Sequence, residues 1–475
     1  MKCTMQKNEI IELKIEDITE QGEGIGKVSG YALFVKDTVP GDIVKAKVIK
    51  AKKSYGYAKL MEVLTPSADR VSPRCPAAGP CGGCQLQAMD YQAQLAFKRK
   101  KVGEHLRRIG GFEVIYDTAV SLSGSAGENA VFVGPVLGME EPWEYRNKFL
   151  VPVRKTRDGR IVTGFYAGRT HSVIETPHCF LGETVYDEIL KAVRDFMTEF
   201  GIEPYEEASG KGVVRHVMIR KGKKTGQIMV CLVINRKKLP HADVLAERLS
   251  AVPGVVSFSL SVNTERNNVI MDERIIPVYG EPCIEDLIGD VKYRISPLSF
   301  FQVNPEQTEK LYGKVLEYAA LTGKETVWDL YCGTGTISLF LARKAGHVYG
   351  VEIVPEAIED AKHNAAANGI GNASFFCGKA EEVMPELLNA GAEGTRTAEI
   401  AVVDPPRKGC DEALLDTLLT MKPAKIIYVS CDSATLARDL KLLCAEGQYA
   451  VRKVQPVDMF PQSGGIETVV KLERR

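Results

Sequence analysis

Cys431 lies at the end of a predicted strand, and a helical pattern follows it. A cysteine that only fills space in a core is normally flanked by apolar residues, whereas this one lies between Ser430 and Asp432. Ligands collect at the carboxyl ends of strands in open α/β sheets. The position therefore predicts either a nucleophilic thiol in a binding site or a small apolar residue at the edge of the core.

A glycine-containing turn between a predicted strand and a helix indicates a cofactor site. Gly333 and Gly335 lie in DLYCGTGTISL, and Glu352 ends the next predicted strand. Glycine lets the backbone approach a ligand closely, and a carboxylate at this spacing accepts hydrogen bonds from both ribose hydroxyls. The turn lacks the full GxGxxG pattern, so it offers no cradle for a pyrophosphate. A nucleoside without phosphates fits better, and the usual one is S-adenosylmethionine.

Asp404 begins the turn DPPRKG at the end of a later strand. Two successive prolines fix the backbone and remove two N–H donors, so the flanking carbonyls stay free to line a small planar pocket. Many methyltransferases that act on base nitrogens carry a tyrosine after the two prolines, where this chain has Arg407.

Cys431 suggests a particular chemistry, because carbon 5 of a pyrimidine becomes nucleophilic only after a thiolate adds to carbon 6. Such a reaction needs a cysteine, a base and a methyl donor in one pocket. Glu467 ends the loop VDMFPQSGGI before a terminal strand and is the candidate base. The alternative is a surface residue of that strand.

Three cysteines, Cys75, Cys81 and Cys84, have C-x5-C-x2-C spacing, and Cys179 is a plausible fourth ligand. Thiolates this close can wrap an iron–sulfur cluster. Structural zinc and free thiols are the alternatives. The amino terminus resembles no signal peptide and no apolar stretch is long enough for a membrane span, so we expect a cytoplasmic protein without a disulfide framework.

The 61 basic and 61 acidic residues give a net charge of zero. Basic residues are nonetheless clustered at 45–53, 98–101 and 219–224, which favours a polyanionic partner over simple solvated faces.

The chain is predicted to be a multidomain α/β protein, since 475 residues are too many for one core. Residues 1–64 read as five short strands of an OB-like β-barrel, and residues 65–92 as a cysteine-rich linker. Residues 93–295, which include Cys179, are expected to form a central α+β domain. Residues 296–475 alternate β and α and predict a Rossmann-like, doubly wound parallel sheet.

Five motifs, FFQVN, DLYCGTG, DPPRKG, SCDSATLARDL and MFPQSGGIETV, occur in this order and resemble the RNA uracil-5-methyltransferases. The resemblance implies Cys431 as the nucleophile and Glu467 as the base that takes the carbon-5 proton. It implies contacts to S-adenosylmethionine from a further set of residues: Gln302, Tyr331, Thr336, Glu352, Lys379 and Asp404. Gln462 and Gly465 replace histidines that the family often has, and the Gly464–Gly465 pair is expected to loosen the loop that presents the base.

The amino-terminal barrel resembles a TRAM domain, and together with the cysteines it is similar to the branch of the family that acts on 23S ribosomal RNA. That branch implies a [4Fe–4S] cluster on the four cysteines and 23S rRNA as the partner, with tRNA as the second choice and RNA cytosine-5 methylation as a less favoured activity. Phosphate contacts are expected from basic residues of the central strands: Arg146, Lys148, Arg215 and Arg220.

Overall fold

The computed structural model describes residues 5–117, 130–168, 170–389 and 399–475. The amino-terminal strands close into a barrel in the order β1-β2-β3-β5-β4, which confirms the prediction of a five-stranded barrel. Inward and outward residues alternate along the strands, and Ile15, Leu33 and Val44 are fully buried inside. The strands are β1 (Ile10–Ile18), β2 (Gly24–Val28), β3 (Tyr31–Val35), β4 (Ile43–Ala51) and β5 (Tyr55–Thr65).

The predicted linker consists of turns and isolated bridges, and it leads into helix α1 (Tyr91–His105). Asp90 caps this helix by accepting a hydrogen bond from the N–H of Gln92. A π-helical turn (Leu106–Gly110) continues α1, and the short strands β6 (Glu113–Ile115) and β7 (Ala130–Phe132) pair in parallel. Val133, just after β7, forms a parallel bridge with Val454, and Val102 of α1 shares a hydrophobic core with Val454 and Val470. The helix therefore packs beside the last strands of the chain.

The central domain is a seven-stranded, mostly antiparallel sheet in the order β10-β9-β8-β11-β12-β13-β14. Strand β11 lies in the middle of the sheet, and both of its neighbours run antiparallel to it. The strands are β8 (Lys148–Lys155), β9 (Ile161–Tyr166), β10 (Val173–Glu175), β11 (Val214–Lys221), β12 (Ile228–Ile234), β13 (Val255–Val262) and β14 (Ile275–Tyr279), and the helices are α2 (Val185–Glu199) and α3 (Ala242–Ser250).

The carboxyl-terminal sheet has the order β19-β18-β17-β20-β21-β23-β22. Its first five strands are parallel, as predicted, whereas β23 runs antiparallel to both of its neighbours. The strands are β17 (Thr326–Leu330), β18 (His347–Glu352), β19 (Ala373–Cys377), β20 (Ile400–Val403), β21 (Lys425–Ser430), β22 (Tyr449–Val457) and β23 (Glu467–Arg474). The helices are α4 (Pro305–Ala319), α5 (Thr336–Ala342), α6 (Pro355–Ala367), α7 (Ala380–Asn389), α8 (Glu412–Met421) and α9 (Ser433–Cys444).

A hairpin of β15 (Ile284–Ile288) and β16 (Val291–Ile295) shares its core with the carboxyl-terminal domain. Tyr293 donates a hydrogen bond to the carbonyl of Thr336 (2.9 Å), which ties the hairpin to the start of α5. In the part of the chain that the structure describes, no helix combines the length and apolar character needed to cross a lipid bilayer.

Candidate active site

A cavity of about 1940 Å³ opens at the carboxyl ends of β17, β20 and β21, between the sheet, the barrel and the cysteine-rich loop. The end of β21 contributes Cys431, and the start of β23 contributes Glu467. Both candidate catalytic residues and most candidate cofactor residues line this one cavity: Gln302, Tyr331, Gly333, Thr336, Glu352, Lys379, Asp404, Cys431 and Glu467.

The glycine turn after β17 has the backbone geometry of a ligand-binding loop. Gly333 and Gly335 have φ angles of 54° and 78°, and Tyr331 has a φ of 68° that costs a non-glycine residue about 1 kcal/mol. The N–H of Gly333 donates to Glu352 (3.2 Å), so the loop and the acidic residue are fixed together. Gly335 packs beneath the loop instead, where an added Cβ would lie 3.1 Å from Ala361.

Three carboxyl groups lie at or below the floor of this cavity, and their ionisation is disfavoured there. Burial raises the pKa of Asp329 to about 7. Burial, followed by the charge of Asp329, raises the pKa of Asp404 to about 7. Burial and then Asp404 raise the pKa of Glu467 well above its usual range, and only Arg407 opposes the shift. The site therefore favours protonated acids or a cationic ligand.

Cys431 is half-buried and lies in the cavity. Burial raises the pKa of its thiol to about 11, the charges of Glu467 and Asp404 add to the effect, and Arg407 opposes it. The following residue, Asp432, caps α9 by accepting hydrogen bonds from the N–H groups of Ala434 and Thr435. The cap holds the end of the strand, so the thiol stays at the cavity wall.

The segment from Asp458 to Gly465, here called the base loop, is tightly held. The carbonyl of Gln462 accepts hydrogen bonds from the N–H groups of Gln85 and Leu86 at 2.9 and 3.0 Å. Gly464 packs so closely on the barrel that an added Cβ would lie 2.1 Å from the carbonyl oxygen of Glu20. The expectation that Gly464 and Gly465 loosen this loop is wrong, because the absence of a side chain at Gly464 permits a close contact.

The four candidate metal ligands share one neighbourhood. Burial raises the pKa of Cys84 to about 11 and that of Cys179 to about 12, and the other cysteines add to both shifts. Burial raises the pKa of Cys81, the hydrogen bond that its sulfur accepts from the N–H of Gly83 (3.4 Å) opposes the shift, and the charge of Cys75 adds to it. Among the described residues, no group of three or more His, Cys, Asp or Glu side chains is arranged to hold a metal ion.

The prediction that Arg215 and Arg220 contact phosphates is wrong. Both arginines are almost completely buried, because β11 is the central strand of a covered sheet. Arg215 donates to the carbonyls of Asn263 and Glu265, and Arg220 donates to two carbonyls of the segment before α4. Of the predicted phosphate contacts, Arg146 lines the cavity. Burial and the neighbouring arginines lower the pKa of Lys148 to about 7.

The barrel presents an aromatic and basic face to the same cavity. Phe34, Tyr55 and Tyr57 form a cluster with ring centroids 5.5 to 5.9 Å apart. Phe34, Tyr57, Lys36 and Lys50 line the cavity. The basic run of residues 45–53 identified this face, but Phe34 on β3 and Lys36 in the turn that follows were missed. Phe300 also lines the cavity and is 70% exposed, whereas Phe301 is core.

Comparisons with known proteins agree with this geometry. The family model described as tRNA (Uracil-5-)-methyltransferase matches residues 265–475, and the TRAM domain matches residues 5–61. A curated protein of Halalkalibacterium halodurans, described as an uncharacterized RNA methyltransferase, is 50% identical over 99% of this chain and 98% of its own length. A protein of Clostridium acetobutylicum with the same description is 47% identical over 99% of this chain and 98% of its own length.

Among solved structures, the tRNA (uracil-54, C5)-methyltransferase of Pyrococcus abyssi, in complex with S-adenosyl-L-homocysteine, matches with a TM-score of 0.75. It is 27% identical, and the match covers 97% of this chain and 100% of that chain. The likeness extends across the barrel, the central domain and the carboxyl-terminal sheet. The chain belongs to the family of S-adenosylmethionine-dependent RNA uracil-5-methyltransferases.

Proposed function

We propose that this enzyme methylates carbon 5 of a uridine in RNA through a covalent bond between Cys431 and carbon 6. The observation that carries the proposal is the shared cavity, which brings Cys431 and Glu467 together with the glycine turn and Glu352. A nucleophile, a base and a nucleoside site in one cavity are what the reaction needs.

The reaction begins when the Cys431 thiol loses its proton and the sulfur adds to carbon 6 of the flipped base. Carbon 5 of the resulting enolate attacks the methyl group of the donor, and S-adenosylhomocysteine leaves. Glu467 removes the proton from carbon 5, the electron pair re-forms the 5,6 double bond, and the carbon–sulfur bond breaks. The expelled thiolate takes up one proton to restore the thiol, and the net products are 5-methyluridine, S-adenosylhomocysteine and one proton.

The methyl donor is proposed to lie along the glycine turn, with Glu352 receiving the ribose hydroxyls. The other proposed contacts are Gln302, Tyr331, Gly333, Gly335, Thr336, Lys379 and Asp404. The raised carboxyl pKa values support a cationic ligand, because a positive charge near Asp404 and Glu467 would offset their poor solvation. The sulfonium of the donor carries that charge and the product does not, so the same carboxyls favour exchange of product for donor.

The RNA is proposed to lie between the barrel and the catalytic sheet, where Phe34, Tyr57, Lys36 and Lys50 line the cavity. Aromatic faces with nearby cations bind single-stranded segments by stacking and charge. Phe300, an exposed residue of the cavity lining, is proposed to stack on a base that has left its helix.

We propose 23S rRNA as the substrate, because the barrel and the four cysteines resemble the ribosomal branch of the family; tRNA is the second candidate. The experiment is mass spectrometry of 23S rRNA and tRNA from cells with and without this protein. Loss of 5-methyluridine from 23S rRNA alone supports the first candidate, and loss from tRNA alone supports the second.

RNA cytosine-5-methyltransferases usually carry a cysteine in an Asp-x-Pro-Cys motif, and the only cysteine close in sequence to the corresponding turn of this chain is Cys410. Cys410 is 5% exposed and lies outside the cavity, whereas Arg407 occupies the position after the two prolines. Loss of 5-methylcytidine with 5-methyluridine intact in the same experiment would overturn our assignment.

The four cysteines are proposed to hold a [4Fe–4S] cluster, with zinc as the alternative. Cys75, Cys81 and Cys84 from one loop and Cys179 from another lie close enough for their charges to raise each other's pKa values, and thiolates are ligands for both groups. When bound, the group would join the loop after the barrel to the central domain. Anaerobic purification with iron, sulfide and zinc analysis tests this proposal. A colourless protein with stoichiometric zinc would exclude the cluster.

A further inference from the structure

Helix α1 has an unusual inner face, because two of its four buried residues, Gln94 and Lys98, are polar. Five side chains follow the spacing of one helix face and form a stripe, here called the α1 stripe: Tyr91, Gln94, Lys98, Lys101 and His105. Lys98 has no solvent exposure, and Gln94 is 1% exposed. Buried polar groups persist when they are paired, so the partners of this stripe indicate what it does.

The first partners lie at the start of the base loop. Tyr91 donates a hydrogen bond to one carboxylate oxygen of Asp458 (2.9 Å), and the ammonium of Lys98 pairs with the other oxygen (2.5 Å). Lys98 also donates to the carbonyl of Phe460 (3.0 Å). The charge pair is completely buried on both sides. Two stripe residues thus satisfy both oxygens of a buried carboxylate and a backbone carbonyl of the loop.

The middle of the loop is held by a reciprocal amide pair. The side-chain amide of Gln94 donates to Gln462 Oε1 (3.0 Å), and its oxygen accepts a hydrogen bond from the backbone N–H of Gln462 (3.1 Å). Gln462 has a φ of 69°, which is an uncommon conformation for glutamine. The contact compensates for that conformation, and only a side chain with both a donor and an acceptor can make it.

The carboxyl-terminal end of the stripe, Lys101 and His105, contacts the end of the base loop and the segment that follows the nucleophile. Lys101 donates to the carbonyl of Gly464 (3.1 Å) and pairs with Glu20 of the barrel (3.3 Å). His105 contacts the hydroxyl of Ser433 (2.8 Å) through Nδ1, and Glu20 (2.8 Å) through Nε2. Ser433 is two residues after Cys431, so α1 contacts the supports of both the base and the nucleophile.

We infer that the α1 stripe positions the base loop for proton removal by Glu467, with Lys98 and Lys101 as its principal positioning residues. The inference rests on the proposed function, because it takes Glu467 as the base. It also reassigns the basic run at residues 98–101, which the sequence suggested as a polyanion-binding patch. Lys98 cannot contact RNA from its buried position. Lys101 borders the cavity but is only 13% exposed, and its ammonium donates to the carbonyl of Gly464 in the loop.

The test compares Lys101→Met and Lys98→Met with the control Lys100→Met on the same helix. Lys100 is 55% exposed and pairs with Asp17 at the surface. In single-turnover reactions, we expect both stripe variants to slow release of methylated RNA from the covalent adduct at least tenfold. Methyl transfer and donor affinity should change less than threefold, because the stripe does not contact the donor site. Lys100→Met should match the wild type.

A second measurement needs no RNA. Hydrogen–deuterium exchange of residues 458–466 in the free enzyme should be faster in both stripe variants and unchanged in Lys100→Met. If Lys98→Met does not fold, Lys101→Met decides, because its side chain lies at the edge of the contact. Unchanged loop exchange in Lys101→Met, or a loss equal in all steps, would overturn the inference. Faster exchange without an adduct in any variant, Glu467→Gln included, would instead count against the proposed role of Glu467.

Discussion

Two buried carboxyl groups, Asp458 and Glu467, lie less than ten residues apart in the chain but have opposite environments, since within the part of the chain that the structure describes one is paired and the other is not. At Asp458 a lysine and a tyrosine occupy both carboxylate oxygens, and the group holds a loop in place. At Glu467 the carboxyl is 4% exposed, no described residue donates a hydrogen bond to it, and burial raises its pKa. A paired buried charge fixes geometry, whereas an unpaired one is reactive because its ionised form is poorly stabilised.

The largest effect on activity is expected at the nucleophile Cys431, whose pKa is raised in part by Glu467. Cys431→Ala should reduce turnover by about 10⁴-fold or more, because no adduct forms and carbon 5 stays unreactive. Affinity for S-adenosylmethionine should be preserved, as measured by calorimetry. Cys377→Ala, which removes an exposed thiol of the same domain, is the control. Residual turnover near the wild-type level would exclude a covalent mechanism.

Glu467→Gln should reduce turnover by about 10²- to 10⁴-fold, the usual contribution of a general base. Because methyl transfer precedes proton removal, the variant should accumulate a methylated RNA adduct, seen as a shifted band on a denaturing gel. Glu473→Gln, in the same strand but near the surface, should show no such band. Slow turnover without an adduct would place the base elsewhere.

The paired carboxyl should respond through stability. Asp458→Asn leaves the buried Lys98 charge without its counterion and should lower the free energy of unfolding by about 3 to 5 kcal/mol. The double variant Lys98→Met/Asp458→Asn should recover more than half of that loss in urea unfolding. Strictly additive losses would show that the two side chains do not stabilise each other.

Asp404 is a second carboxyl whose pKa is raised by burial, and its replacement should change the stability of the protein in a pH-dependent way. The pKa of Asp404 is raised to about 7 in the folded protein, so its contribution to stability is lost as pH rises from about 4 to about 7. Asp404→Asn should therefore stabilise the cofactor-free protein by up to about 4 kcal/mol at pH 8 and by nothing measurable at pH 4. Asp411→Asn, at the exposed end of the same turn, is the control in thermal unfolding. A gain that does not vary with pH would contradict the assignment.

The barrel and the five parallel strands could be predicted because their signals are local. Turn residues separate the strands of the barrel, and the glycine turn, Glu352 and Cys431 follow strands whose ends must meet at one edge of a sheet. The position of the site follows from the order of those strands alone, because the carboxyl ends of parallel strands meet at one edge of the sheet.

The arginines of β11 and the inner face of α1 could not be predicted, because their environment depends on distant segments. Arg215 and Arg220 lie near the two ends of a strand that also carries His216 and Lys221, as surface cations often do, and only the strands on either side show that β11 is central. Lys98 lies in a run of four basic residues that resembles a solvated patch. Its partner is 360 residues further along the chain, so no local pattern reveals that the lysine is buried.

That separation has a consequence for synthesis of the protein. At roughly 5 to 20 residues per second, α1 leaves the ribosome about 20 to 70 seconds before Asp458 is made. During that interval the lysine has no counterion, and α1 cannot settle in its final place. A chain that terminates before Asp458 therefore lacks the counterion of Lys98 and also Glu467. The active site can form only after the last strand of the chain has been synthesised.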